Sequence, residues 1–346
     1  MERLLRVGGS SIARSLDATR EDGWTRQAYE AKVAVLGAVL AAVAGDAQPA
    51  IVALAEVEDR SAARDVAAAA GWEYLTVVED PDANLIGDDL VVLYDERILS
   101  LSGPPVSYNV HNRYTTRDLF QVPFATAAGS EFVLVTNHWP SRRLSNSEPF
   151  RIGVADYCRR LVEGQLKFAK DELVRPTGGA RMKSLAELRR KAATAVIVLG
   201  DFNDEPWDTS VRVGLNAVRE RRSVTEPLRL PRGRGKRAVE QYTALNVPIF
   251  NPMWELIGSG EGPGGTVYWD GAWHVLDQVA VSAGLYGDGP ARLVEDSLRI
   301  HQLREVQVEG SPVQVATRNG VPLAFDHTTG RGASDHLPIS FQLDVD

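Results

Sequence analysis

Asp201 and Asn203 stand two residues apart behind the apolar run Val196-Ile197-Val198-Leu199, with Gly200 as the joint. A carboxylate there can orient or deprotonate a water, and an amide can hold an anionic oxygen without adding negative charge. Asp and Asn also favour turns for local hydrogen-bonding reasons. That accounts for either residue singly, but not for a buried strand that ends in both. Ser334-Asp335-His336 forms a second polar cluster, just ahead of the apolar stretch Leu337 to Leu343. A carboxylate that accepts from one imidazole nitrogen fixes the tautomer and frees the other nitrogen for chemistry. Asp335, or Asp277 at the head of Gln278-Val279-Ala280-Val281, is placed to do this for His336.

Other strand ends carry polar groups of the same kind. Glu56 follows Ile51-Val52-Ala53-Leu54, and Asn137 and His138 follow Phe132-Val133-Leu134-Val135. Imidazole can protonate a leaving oxygen or donate to a phosphoryl oxygen. Arg142 and Arg143, just beyond, are suited to clamp phosphate. Carboxylates, an amide and an imidazole at strand ends suit a divalent cation and a phosphate ester. His111, His274, His301 and His327 lack a local partner pattern and read as structural or surface residues. Trp139, Trp207, Trp254, Trp269 and Trp273 read as core or loop packing rather than a stacking platform. The chain has no H-E-x-x-H, P-loop, G-x-S-x-G or C-x-x-C motif, so those chemistries lose support.

The elements that must position these groups follow from hydrophobic periodicity. Tyr29, Val33, Leu36, Leu40 and Val43 mark one helical face, ended by Gly45 and Asp46. Strands are expected at residues 50–54, 90–94, 119–124, 132–135, 195–199, 275–281 and 337–343, with Pro123 weakening the end of the third. Helices are expected at residues 60–70, 149–173 and 185–192. Residues 219–237 carry eight basic and two acidic side chains with Pro231, Gly233 and Gly235, which predicts a long basic loop. Gly258 to Gly265 is a second glycine-rich loop. Strands and helices alternate irregularly, so an α/β layered domain with mixed sheets is expected, undivided over residues 1–346.

Bulk properties set limits. The chain has 346 residues, 44% hydrophobic and 24% charged, enough for a large core. Its net charge of −8 argues against polyanion binding through a general basic field, and leaves a local basic cleft or a bound cation. The single cysteine, Cys158, precludes an intrachain disulfide and fits a reducing compartment. Val33 to Ala44, the most apolar stretch, is too short to span a bilayer. Arg3, Arg6 and Arg14 interrupt any apolar leader, so the expectation is a cytoplasmic protein without a membrane partner, and a monomer; a misassigned start could conceal an export signal.

In order along the chain, Leu54-Ala55-Glu56-Val57-Glu58, Thr136-Asn137-His138, Gly200-Asp201-Phe202-Asn203, Leu276-Asp277-Gln278-Val279 and Ser334-Asp335-His336-Leu337-Pro338-Ile339 resemble the motifs of the endonuclease/exonuclease/phosphatase superfamily. The resemblance implies a four-layer α/β sandwich, with two mixed β-sheets face to face and helices outside. It implies Mg²⁺- or Mn²⁺-dependent hydrolysis of a phosphate ester, with nucleic acid among the candidate substrates. Carried over residue by residue, Glu56 is the principal metal ligand and Asp335 a residue at the metal. Asp201 and Asn203 position the water and the scissile phosphate. His138 stabilises the phosphate or assists the leaving group, while His336 sits near the attacking water with Asp277 orienting it. Arg117, in Tyr114-Thr115-Thr116-Arg117-Asp118, matches a substrate-facing arginine, and Asn137 and Arg142 join it as substrate contacts. The resemblance leaves open whether Asp201 or His336 is the general base.

One departure stands out. In the register Arg6 to Asp17, Ser11 falls where a metal-site Asn is expected, and Arg14 where a second Asn would be. Serine is too short for the ion's inner shell. This motivates a competing expectation, a non-catalytic or repurposed binding protein on the same scaffold. A phosphomonoesterase acting on a small substrate is a further alternative.

Overall fold

The structure, a computed structural model, describes residues 24–57, 59–78, 90–110, 119–143, 145–173, 183–226, 236–257, 262–286 and 291–345. Helix α1 (Arg26–Ala44) starts at Thr25, whose hydroxyl accepts from the Ala28 amide, and stops at Gly45 with φ 58°. It begins earlier than its apolar core suggested. At 19 residues with a mean hydropathy of 1.4, it is long and apolar enough to cross a bilayer. Here Tyr29, Val33 and Leu36 pack against helix α2 (Arg60–Ala69) and the sheet beneath. The two helices meet at Gly37, where an added Cβ would lie 2.5 Å from the Ala69 Cβ. No larger residue permits that approach.

Strands β1 (Ile51–Ala55), β2 (Leu75–Val77) and β3 (Leu90–Asp95) form an antiparallel sheet in the order β1-β3-β2. Strand alternation divides its faces. Leu54, Val91 and Leu93 point to α1 and α2, while Val92 and Tyr94 point to a second core. That core is shared with an eight-stranded sheet made of β4 (Leu99–Leu101), β5 (Val106–Tyr108), β6 (Leu119–Thr126), β7 (Glu131–His138), β8 (Ala195–Asp201), β9 (Ala217–Val218), β10 (Ile249–Phe250) and a later strand, β13. A hairpin of β11 (Val267–Trp269) and β12 (Ala272–His274) precedes β13 (Asp277–Val281). The large-sheet order is β4-β6-β7-β8-β13-β10-β9, with β5 also on β6. Parallel pairs β7–β8 and β9–β10 among antiparallel neighbours make it mixed.

The parallel β7–β8 pair requires a crossover. Helix α3 (Glu148–Leu166) lies in that crossover, and buries Val154, Ala155, Cys158 and Val162 against Val133, Val135, Val196 and Val198. The alternate residues Phe132, Leu134 and Ile197 fill the inter-sheet core. Burying each such side chain contributes about 1.5–3 kcal/mol relative to exposure. Both faces of β7 and β8 are therefore anchored, which fixes where their ends fall.

Several expectations are corrected. The second sheet is not one continuous mixed sheet among the described residues. Its three strands are all antiparallel, and the late strands, two to four residues each, form separate two-stranded ladders. The expected strand at 337–343 is thus only Ile339–Ser340 and Leu343–Val345. The helix expected over 149–173 breaks after Leu166, where Lys167 turns extended and its Nζ donates to the carbonyls of Thr243 at 3.0 Å and Leu245 at 2.8 Å; a short helix α4 (Lys170–Leu173) follows. Pro123 does not end its strand. Its carbonyl accepts from the Ser102 amide one residue past the end of β4, so the N–H it lacks falls where that ladder ends. In the basic stretch, residues 222–225 are helical and residues 227–235 lie outside the described residues.

Candidate active site

Three adjacent strands of the large sheet end on one edge. In the parallel β7–β8 ladder His138 is the register partner of Asp201, and in the antiparallel β8–β13 ladder Asp277 is the partner of Asp201. This puts His138, Asp201 and Asp277 side by side. Gly200 makes the join possible, with φ 140° and a position where any Cβ would lie 1.9 Å from the Asn137 carbonyl oxygen. Glu56 approaches from the small sheet, one residue past β1, in the left-handed region at φ 58°. A non-glycine residue in that region is sparse and tends to mark a constrained site.

The side chains converge. His138 Nε2 lies 3.7 Å from Glu56 Oε1 and 3.7 Å from Asp201 Oδ2. Asp201 accepts from the Asn203 amide at 2.8 Å and from the Asn203 side chain at 2.8 Å. The local turn and the polar site are therefore the same structure. The Asn203 side chain also donates to the Trp139 carbonyl at 2.9 Å, and Trp139 stacks on Phe202 beneath the turn with centroids 4.5 Å apart. His336 Nδ1 lies 2.8 Å from Asp277 Oδ2, which selects Asp277 over Asp335 as its partner. Asp201, Asp277 and His336 all line one cavity of about 830 Å³.

Electrostatics separate these groups. Burial raises the Asp201 carboxyl above its ordinary value, Asp277 adds to the rise, and His336 and His138 offset part of it. Burial also opposes charge on Asp277, yet His336 outweighs it and holds that carboxyl below the ordinary 3.8. Burial pulls His336 down, but Asp277 prevails and its imidazole is raised above 6.5.

The remaining expected residues lie differently. The Asn137 side chain is fully buried; it donates to the Val135 and Leu199 carbonyls and accepts from Trp139 Nε1. Arg142 donates to the Asn203 carbonyl at 2.8 Å and pairs with Asp204 and Asp208. Both side chains brace the site from within rather than standing open to a ligand. Asp335 sits half-buried in the bend before His336, with no hydrogen bond or ion pair to the other carboxylates among the described residues. Arg117 and Ser11 lie outside the described residues.

Two other supporting residues were not among the expected site residues. Thr266, fully buried, accepts on Oγ1 from the Leu276 and Asp277 amides, while its carbonyl accepts from the Leu337 amide. Glu205 lies 2.7 Å from His274 Nδ1 and accepts from the Val275 amide at 2.9 Å. Its place in the acid-rich turn Asp204 to Asp208 was the available hint. Trp207 and Trp269 are 46% and 42% exposed, and each packs against a ring partner, Trp254 and His274 respectively.

Among the described residues no group of three His, Cys, Asp or Glu side chains converges as a cage. Mg²⁺ is commonly held by one or two carboxylates plus waters and substrate phosphate. Glu56, one-third exposed and facing Asp201 across His138, fits that open mode.

The sequence profile of the Endonuclease/Exonuclease/phosphatase family matches residues 15–231, and the chain belongs to this family. No curated protein matches the sequence at a significant level. Among solved structures, the chain is similar to a mannosyl-6-phosphatase from Bacteroides thetaiotaomicron VPI-5482, at 13% identity and a TM-score of 0.54, covering 99% of this chain and 97% of that one. It is also similar to D. rerio TDP2 complexed with a single-strand DNA product, at 12% identity and a TM-score of 0.51, covering 91% and 92%. These likenesses concern the fold.

Proposed function

We propose that this protein is a divalent-metal-dependent phosphoric ester hydrolase that works by in-line attack of water on phosphorus, with a phosphodiester as the first substrate class to test. The observation that carries the reading is the Asp277–His336 pair at 2.8 Å beside Asp201, with Glu56 and His138 facing it. Family membership and the one-third-exposed carboxylate of Glu56 support Mg²⁺ or Mn²⁺ as the cofactor. When bound at Glu56, the ion supplies charge neutralisation at the phosphoryl oxygens. The four-layer sandwich, with residues 1–346 as one domain, belongs to the same proposal. Cores on both sides of the large sheet support it.

The chain's own residues divide the work. Asp277 holds the Nδ1 side of His336, which leaves Nε2 to take a proton from the attacking water. Asp201, fixed by two bonds from Asn203, orients that water as the new O–P bond forms. The Asn203 amide is taken up by Asp201 and the Trp139 carbonyl and acts by holding Asp201 in place, while His138 faces the phosphoryl group and donates to the departing oxygen as the old P–O bond breaks.

One observation favours a small phosphate ester over a long polyanion. The Arg142 guanidinium is already neutralised by Asp204 and Asp208. Assays with single- and double-stranded DNA, RNA, bis-p-nitrophenyl phosphate and small phosphomonoesters, with and without EDTA, test the reading. Turnover that needs the metal and disappears in His336→Ala is expected. A folded protein inert to every ester, and silent to Mg²⁺ and Mn²⁺ by calorimetry, would replace it with the binding-protein alternative.

A further inference from the structure

The β11–β12 hairpin joins both halves of the candidate site at its base and exposes aromatic rings at its tip. Val267 bridges to His336, and Thr266 just before it bonds the Asp277 and Leu337 amides. On the other strand, His274 is held by Glu205, from the turn that follows Asn203. Two residues on from Val267, Trp269 is 42% exposed, and Tyr268 is 38% exposed. Successive alternate residues on one strand lie about 7 Å apart, so the Trp269 backbone is about 7 Å along the strand from the residue that pairs with His336.

The rings are ordered from behind. Trp269 packs 5.9 Å from the His274 ring, and its carbonyl is 3.3 Å from His274 Nε2. Tyr268 packs edge-on to Trp273 at 5.4 Å, and its hydroxyl donates to the Gly271 carbonyl at 3.0 Å. Large indole and phenol faces left in water cost free energy unless something covers them. The two-residue turn Asp270-Gly271, with φ 50° and 79°, is a tight one that keeps the rings in place.

We propose that this hairpin is the recognition platform for the organic group of the substrate, and that this group is a ring joined to the phosphate, whether a nucleobase-bearing ribose or a hexose. Continuity with the His336 segment puts the platform on the site rather than elsewhere on the surface. The acid-rich surroundings argue the same way, because a ring face adds affinity without added negative charge. The inference rests on the phosphate-ester reading above.

Calorimetric titration of the full chain in Mg²⁺ with adenosine monophosphate, glucose 6-phosphate and glycerol phosphate tests it. At least one ring-bearing ester is expected to bind roughly 10-fold tighter than glycerol phosphate. That preference should collapse in Trp269→Ala and persist in Trp269→Phe. Preference for the nucleotide alone or the hexose alone identifies the ring. Equal or absent binding of all three, or a preference that survives in Trp269→Ala, overturns the proposal. A protein that prefers ring esters but hydrolyses none sinks the hydrolase reading and leaves the platform standing.

Discussion

Asp201 and Asp277 face each other across the β8–β13 ladder, yet their carboxyls are displaced in opposite directions. Burial raises the first. It would raise the second too, but His336 at 2.8 Å reverses the outcome. Neighbouring titratable groups pushed apart in this way mark a division of roles between acid and base.

The pH dependence of turnover follows from His336. Its raised proton affinity means the imidazole is charged below a midpoint above 6.5 and neutral, able to accept a proton, only beyond it. The rate should therefore rise with pH through that midpoint. Asp277→Asn removes the stabilising carboxylate, so the acid limb should move to lower pH while the rate falls by about 10² to 10⁴-fold. A pH–rate profile that keeps its midpoint in Asp277→Asn would remove His336 from the role of base.

The same pair sets a stability window. Asp277 lies below 3.8, so its contribution is present above 3.8 and is lost as pH falls through its folded value. His336 lies above 6.5, so its contribution is complete below 6.5 and fades as pH rises through its folded value. The pair thus stabilises most between these limits. A double-mutant cycle with Asp277→Asn and His336→Gln, read by urea unfolding, should give a coupling of about 1.5–3 kcal/mol near about pH 5 and less near about pH 9. A coupling flat across that range would contradict the pairing.

Gly200→Ala should destabilise severely. The added Cβ would meet the Asn137 carbonyl at 1.9 Å in a backbone with φ 140°. Backbone on both sides leaves little room to shift, and a loss of about 3 kcal/mol or more is expected in denaturant unfolding. A shift under about 1 kcal/mol would mean the β7–β8 join is looser than described.

Glu56→Gln tests the cation without disturbing the core, since Glu56 is one-third exposed. The Mg²⁺ concentration for half-maximal turnover should rise about 10-fold or more, with unchanged circular dichroism. An unaltered Mg²⁺ requirement would place the ion elsewhere.

Chelation should abolish turnover in the unmodified protein, with Mg²⁺ or Mn²⁺ restoring it. Full activity in EDTA would eliminate the metal-dependent reading while leaving the Asp277–His336 geometry intact.

The strand ends were legible because each apolar run is followed within three residues by its polar residue, as with Leu199 and Asp201 or Val135 and His138. Strand alternation also held a warning about Asn137. Two successive residues of a strand cannot face the same side, so with His138 toward Glu56 its neighbour turns inward to Trp139. Arg142 was less readable. Its partners Asp204 and Asp208 are more than sixty residues away, and only the fold shows its charge already met. The braces at Thr266 and Glu205 were hidden for the same reason, because they act through backbone amides that any sequence would offer. The late strands failed because Leu337 to Leu343, although apolar, divides into two ladders with different partners.

Thr266 grips the backbone on both sides of the Asp277–His336 contact, through the Asp277 amide and the Leu337 amide. The two side chains are consequently held in register by their main chains and do not depend on their own bond to stay adjacent. Truncation at Asp277 would leave an empty socket of carboxylate size next to a correctly aimed imidazole. Such a protein is a candidate for chemical rescue, in which formate or acetate from solution occupies the socket and returns part of the lost activity.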